Sequence, residues 1–263
     1  MAEVERPERF RILIIGRANA GKTTVLRAVC GVDEEPEVYD REGNKVSVSA
    51  IGGRGWGYRG EHHIDYELTF PSNPGFVFHD SRGFESGAAE ELELVRKFIQ
   101  EQSNLGSMSK QLHAIWYCFP ADSNRLMTAA EKEFFNKIDT GTGKLYEYSI
   151  IAFPVIAVFT KFDALDSAAF TAVSGPGVPF EVAKEMASQH ATEKFNAEIL
   201  PLIESLAHPP KAVVCLRSIL STHAASELVE RTEAALDTDV LRILLVQAQR
   251  VNVELCMKAA VKK

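Results

Sequence analysis

The octapeptide Gly16-Arg17-Ala18-Asn19-Ala20-Gly21-Lys22-Thr23 constrains this chain more than any other feature, because it matches G-x-x-x-x-G-K-[ST] and sits between two regular segments. Residues 10–16 (FRILIIG) are a short apolar run ending in glycine, which predicts a strand. Lys22 to Gly31 then carries Val25, Leu26 and Val29 at helical spacing. A strand delivered through a glycine loop into a helix turns successive N–H groups toward one point at the positive helix end, which suits a polyphosphate. Asn19, Ala20, Gly21, Lys22, Thr23 and Thr24 are then the binding residues. Lys22 reaches the β- and γ-phosphates, and the Thr23 hydroxyl ligates magnesium. Glycines at this spacing also make a plain strand-to-helix turn that binds nothing.

Further strands are predicted at 64–70 and 75–80, joined as a hairpin through Pro71-Ser72-Asn73-Pro74. Leu92, Val95 and Ile99 mark an amphipathic helix, 112–119 (LHAIWYCF) a buried strand, and Thr128 with Glu131 a capping box opening a helix that carries Phe134, Phe135 and Ile138. Residues 154–160 and 211–216 predict two more strands. Between them, Asp163 to Pro179 is rich in Ser, Ala, Gly and Pro and predicts a surface loop before a long helix over 180–206. Helical stretches over 221–236 and 239–260 finish the chain. Alternating strands and helices imply an α/β three-layer sandwich: a mostly parallel sheet with one antiparallel strand, helices on both faces, and ligands at the carboxyl ends of the strands.

Composition narrows the classes. With 263 residues, 46% hydrophobic and 25% charged, the chain has enough apolar surface for a core and is neither disordered nor fibrous. Its net charge of −7 argues against a surface devoted to nucleic acid or anionic membrane, yet leaves room for a small anionic ligand. Cys30, Cys118, Cys215 and Cys256 form no CxxC pair, so a reducing compartment fits. The opening MAEVERPERF has no apolar signal core, no run of 18 apolar residues follows, and AVKK is no prenylation box, so the expected location is cytoplasmic.

Two further motifs follow the glycine loop in order. Residues 76–80 (FVFHD) end an apolar strand in Asp80 and continue as Ser81-Arg82-Gly83. An acid there holds the magnesium shell, and the Gly83 amide would contact a γ-phosphate and release the next segment when that phosphate leaves. His79, one residue earlier, should point to the opposite face as a packed or surface histidine. Thr160-Lys161-Phe162-Asp163 closes a later strand where a base should lie. Asp163 can accept from the ring N–H and exocyclic amine of guanine, while Lys161 lays its stem on the base. Adenine lacks that donor pair, so guanine is favoured.

Through GRANAGKT, DSRG and TKFD, matched in order across about residues 10–220, the chain resembles the Ras-like P-loop GTP-binding domains. The strings FVFHDSRGFE, LHAIWYCF and AVFTKFDAL look more narrowly like the fungal G-domain-containing proteins. The resemblance implies a P-loop NTPase fold, GTP or GDP, and magnesium. It also implies that the strand 211–216 leads into a loop touching the guanine oxygen near Leu216 and Arg217. Three departures bear on catalysis. No Thr lies between Thr24 and Thr69 to serve as the first-switch ligand, leaving Ser47 and Ser49, and the glycine-rich 52–60 stretch should be mobile without nucleotide. Phe84 replaces the water-orienting glutamine, so catalytic candidates are Asn19, Arg54, Arg59 and Glu85, with His62 and His63 as exposed loop residues. Asn19 matches the asparagine that coordinates potassium in bacterial tRNA-modification GTPases, though an asparagine there also caps a loop.

The expected organisation is a tail over 1–9, a GTP-binding domain over 10–236, and a C-terminal helix over 237–263 packed on the domain or at an interface. Its function is a nucleotide-dependent conformational switch with slow hydrolysis of GTP to GDP. The alternatives are a nucleotide-gated interaction module with little hydrolysis, or a P-loop small-molecule kinase, which Lys161 and Asp163 oppose. Expected partners are the guanine nucleotide, an effector or activating protein not named by the sequence, and a nucleotide-dependent second copy, with neither nucleic acid nor a transmembrane segment.

Overall fold

Every residue of FRILIIG except Arg11 is buried, as a strand covered on both faces requires. The computed structural model describes residues 8–46, 63–81, 88–105, 107–123, 125, 127–139, 153–175, 177–218 and 222–249. Its strands are β1 Phe10–Gly16, β2 Glu37–Tyr39, β3 Lys45–Val46, β4 Glu67–Phe70, β5 Asn73–Asp80, β6 Ala114–Pro120, β7 Val155–Thr160 and β8 Ala212–Cys215. Its helices are α1 Lys22–Cys30, α2 Ala88–Ser103, α3 Ala129–Lys137, α4 Asp163–Val173, α5 Phe180–Glu198, α6 Leu200–Glu204 and α7 Thr222–Ala235, followed by a C-terminal helix described over 239–249. The strands form one sheet in the order β3-β2-β4-β5-β1-β6-β7-β8. From β5 to β8 all neighbours are parallel, while β4 runs antiparallel to both β5 and β2. The sheet is therefore mostly parallel, with helices on both faces.

The two-residue period of the central strands divides the interior in two. On one face Ile12, Ile14, Trp116, Cys118 and Ile156 meet α1, α7 and the C-terminal helix through Leu26, Leu228 and Leu245. On the other, Leu13, Ile15, Tyr117, Phe119 and Phe159 meet α2, α3 and α5 through Phe98, Phe134, Phe135 and Phe195. Trp116 brings a polar atom into the first core, and its indole N–H donates to Thr232 Oγ1 at 3.1 Å. The C-terminal helix lies on the same face, with Leu244, Leu245 and Ala248 buried. Gly75 makes that contact close: a Cβ there would stand 2.8 Å from Ala248 Cα. Val240 and Ile243 of this helix are exposed, while Leu245 is fully buried. Among the described residues no helix is long and apolar enough to cross a membrane.

Several segments differ from the sequence expectation. Asp163–Val173 is the helix α4, not a loop: alanine is the best helix former, and Asp163 and Asp166 complement the helix dipole in its first turn. The helix expected over 180–206 breaks at Ile199 into α5 and α6, where Pro201 lacks an amide and its ring crowds the preceding turn. Strands β2 and β3 lie in the long segment after α1, too short for any periodicity to show. The hairpin turn narrows to Pro71-Ser72, because Asn73 already pairs with Phe70. Pro74 enters β5 before its pairing with β1 starts at Phe76, where a missing donor is tolerated.

Two buried imidazoles make stability depend on pH. His113 Nδ1 accepts from the Arg11 N–H at 3.0 Å, so its proton sits on Nε2 and faces Met108 O at 2.9 Å. A second proton would be forced against the Arg11 amide. His79 is packed, as expected, with Nδ1 3.1 Å from Ile64 O and its ring against Phe98. Burial, with Arg11 nearby, lowers both from the ordinary 6.5 to about 4. Between those values the unfolded chain binds more protons, so this contribution is complete above pH 6.5 and lost as pH falls toward 4. Urea midpoints should therefore decline from pH 7 to pH 5, before most carboxylates titrate, and His113→Gln should flatten the decline. A midpoint constant over that range would show that neither histidine is held neutral.

Candidate functional site

Because β1, β5, β6, β7 and β8 are parallel, the segments after them all emerge at one edge of the sheet. There the predicted site residues collect. β1 ends at Gly16, which accepts no side chain, since a Cβ would stand 2.5 Å from Cys118 O on β6. The loop then turns through Asn19 (φ 59) and Gly21 (φ 75), both left-handed, where Asn and Gly are the residues of least cost. Gly21 caps α1 with no side-chain hydrogen bond, and no acid stands in the first helical turn. The positive helix end is thus neither capped by a side chain nor neutralised by one, which is the local condition for holding an anion.

Lys22 arches back over this loop. Its ammonium donates to Gly16 O at 3.0 Å and stands 3.7 Å from Asp80 Oδ1 at the end of β5. Thr23 and Thr24 follow, half-buried, in the same turn. The Ser81 N–H donates to Ile14 O at 3.1 Å, which keeps the segment after Asp80 beside the loop. Beneath them Cys118 is fully buried, its thiol pushed up to about 12 by desolvation, so it is no nucleophile. Arg17 turns the other way. Its guanidinium bonds Glu131 at 2.9 Å, Ser123 Oγ at 3.1 Å and Arg125 O at 2.8 Å.

The second half of the site hangs from β7. The Thr160 hydroxyl, buried, donates to Ala20 O in the loop at 2.9 Å and lies 3.4 Å from Phe119 O. Lys161 follows with φ 55, and its ammonium bonds Asp122 at 2.8 Å. Asp163 opens α4 with an exposed side chain. Beside them the Leu216 N–H donates to Phe159 O at 2.7 Å, and Leu216 O accepts from the Phe162 N–H at 3.0 Å. Here the expectation for Leu216 changes. Its amide is committed to the sheet, so a backbone donor to a base falls to the next residues, Arg217 and Ser218.

The structure therefore brings Asn19, Ala20, Gly21, Lys22, Thr23, Thr24, Asp80, Thr160, Lys161, Asp163 and Leu216 to one edge. Gly83, Arg54, Arg59, Glu85, Phe84, His62, Ser47 and Ser49 lie outside the described residues, as do the expected mobile 52–60 stretch and the γ-phosphate contact. The motifs do not name Asp122, Glu131 or the side-chain role of Arg217. For Asp122 a signal exists, because ADS directly follows an apolar strand at its carboxyl end, where ligands collect. Glu131 shows in sequence only as a helix cap.

No family model matches the chain, and no curated protein matches it. Among solved structures it is similar to a variant of Era from Aquifex aeolicus bound to GDP·AlF4−, at 12% identity and a TM-score of 0.41. The alignment covers 88% of this chain, which spans only 58% of the length of that one.

Thr160→Val tests the link between the two halves. The change keeps the shape and removes the donor, leaving the Ala20 carbonyl without its partner at a cost of about 1–3 kcal/mol. The urea midpoint should fall accordingly, and hydrogen exchange should rise in residues 17–21 and 160–163 together. Faster exchange in one segment alone would show that the two are not coupled through this hydroxyl.

Proposed function

We propose that this chain is a GTP-binding protein, a switch that holds GTP or GDP between the 16–24 loop and the 160–163 segment and hydrolyses GTP slowly. One observation carries the reading: the uncapped positive end of α1 and the Thr-Lys-Phe-Asp segment meet at one sheet edge, joined by the Thr160 to Ala20 hydrogen bond. In this reading residues 10–236 are the nucleotide-binding domain and 237–263 an appended helix. The phosphates lie on the Gly21 and Lys22 amides, Lys22 exchanges Gly16 O for a phosphate oxygen, and Asp163 accepts from the guanine edge.

Magnesium fits the donor set. Asp80 and Thr23 supply hard oxygens, and a buried carboxylate beside a triphosphate would be repelled without a cation between them. Those two residues would hold the ion, which when bound neutralises charge on the phosphates. The protein's own part is to keep Lys22 and the loop amides aimed at the same oxygens.

Lys22→Ala should abolish tight GTP binding in a folded protein, and Asp163→Asn should move preference from GTP toward xanthosine triphosphate. Competition titrations with both nucleotides read the two effects. Unchanged GTP affinity in Lys22→Ala overturns the phosphate site, and an unaltered base preference in Asp163→Asn overturns the base site.

Hydrolysis is proposed to be slow, since Phe84 cannot orient water and a trans arginine in such enzymes supplies about 10³–10⁵ in rate. Asn19 offers an alternative: its exposed, left-handed position is one a potassium ligand or a loop-capping residue would each adopt. If it holds potassium, turnover should rise several-fold when potassium replaces sodium at constant ionic strength, and Asn19→Ala should remove the rise while GTP still binds. Equal rates leave Asn19 as a cap. Fast turnover in both salts defeats the slow switch.

A further inference from the structure

Lys161 and Ser218 both have positive φ, 55 and 45, and neither is glycine. A side chain is held in that region at a cost of about 1–3 kcal/mol, and only where the surroundings over-determine it. Between the two strained positions lie Phe162 and Arg217, stacked on each other with the guanidinium carbon 4.6 Å from the ring centroid. The guanidinium also grips Asp166 on α4 through two bonds of 2.8 and 3.1 Å, and on α5 it reaches Thr192 Oγ1 at 2.7 Å and Ser188 O at 3.2 Å. Phe162 is fully buried, and its ring also makes an edge-on approach to Phe195 of α5 at 5.2 Å. One side chain thus ties the loop after β8 to the segment after β7 and to both following helices.

We infer that Arg217 is a positioning residue for base recognition, a clamp that fixes Phe162 and so aims its neighbours Lys161 and Asp163 at the base. This deepens the guanine-nucleotide reading and rests on it. The geometry sets Arg217 apart from a nucleotide ligand: its planar fork is occupied by Asp166 and Thr192, so its charge is spent within the fold. A lysine could keep the charge but could satisfy neither the paired contact with Asp166 nor the stacking on Phe162. Holding the base loop through α4 and α5 also means that the helical hairpin over 163–198, outside the phosphate loop, governs the base end of the site alone.

The test separates the two ends of the nucleotide. Affinities for GTP, for inosine triphosphate, which lacks the exocyclic amine, and for inorganic tripolyphosphate are measured on the full chain and on Arg217→Ala, Arg217→Lys and Asp166→Asn. Arg217→Ala should lose about tenfold in the preference for GTP over inosine triphosphate, the size of one charge-assisted hydrogen bond misplaced at Asp163, with tripolyphosphate affinity unchanged. Arg217→Lys should recover little of it. Asp166→Asn, a milder change, should lose part of the same ratio and keeps the question answerable if Arg217→Ala does not fold. An unaltered ratio in folded variants overturns the clamp while leaving the guanine reading intact. Equal loss of tripolyphosphate binding shows a general structural role and also overturns it. An unmodified chain indifferent to the base overturns the guanine reading and the clamp with it.

Discussion

Thr160 Oγ1 is the atom on which the geometry of this edge depends. The phosphate-type loop leaves β1 and the base-type segment leaves β7, and these strands are not neighbours, because β6 lies between them. The hydroxyl spans that gap, donating to Ala20 O at 2.9 Å while passing 3.4 Å from Phe119 O on β6. Being buried, it has no water to exchange with, so the bond acts in a low-dielectric setting where leaving it unmade is expensive. The close approach of Gly16 to Cys118 works to the same end, pressing the start of the loop onto β6. Together they fix the span between the helix N-terminus and Asp163, the distance any ligand bridging the two must match.

Around this centre three of the described cations are paired with carboxylates. Arg17 pairs with Glu131, Lys161 with Asp122, and Arg217 with Asp166. The Arg17 pair is the deepest, Glu131 being wholly buried while closing the capping box of α3. Such a buried pair seldom gains stability over well-packed apolar residues, because desolvation offsets its attraction. Its consequence is directional: it turns Arg17 away from the N-terminus of α1 and joins the loop to α3. The exposed Lys161 pair contributes at most about 1 kcal/mol. Yet it sets where the lysine stem lies at rest, across the carboxyl end of β6.

Much of this was legible in the sequence wherever one period dominates. The strings FRILIIG, LHAIWYCF and PVIAVFT announce strands covered on both faces, and Thr128 with Glu131 announces the start of α3 down to its reciprocal bonds. Legibility fails where two signals compete. In 163–179, alanines that favour a helix stand among Ser, Gly and Pro that favour a loop, and the helix wins because its acids sit at the positive end. It fails again where the determinant is tertiary, as with the close seating of the C-terminal helix, where Ala248 lies against the bare backbone of Gly75. The site divides along the same line. Contiguous motifs carry Lys22, Asp80 and Asp163, but Arg17 meets Glu131 across a separation of 114 residues, which no local pattern can announce.

These pairings also bear on the proposed phosphate site, since they commit most of the described cations at this edge. An anion arriving here finds Arg17, Lys161 and Arg217 already partnered, and displacing Arg17 would leave the buried Glu131 without its cation. Lys22 differs. Its nearest acid is 3.7 Å away, beyond hydrogen-bonding distance, and its firmest contact is a neutral carbonyl at 3.0 Å. Moving it onto a phosphate oxygen exchanges a neutral acceptor for a charged one, a gain, where moving the arginines would be a loss. The attraction is therefore local to Lys22 and the α1 amides, in a chain whose overall charge is −7. Among the described residues of this edge, Lys22 is the cation whose closest bond is to a neutral carbonyl, and in the proposed reading a compact polyphosphate seated in the loop would meet it there.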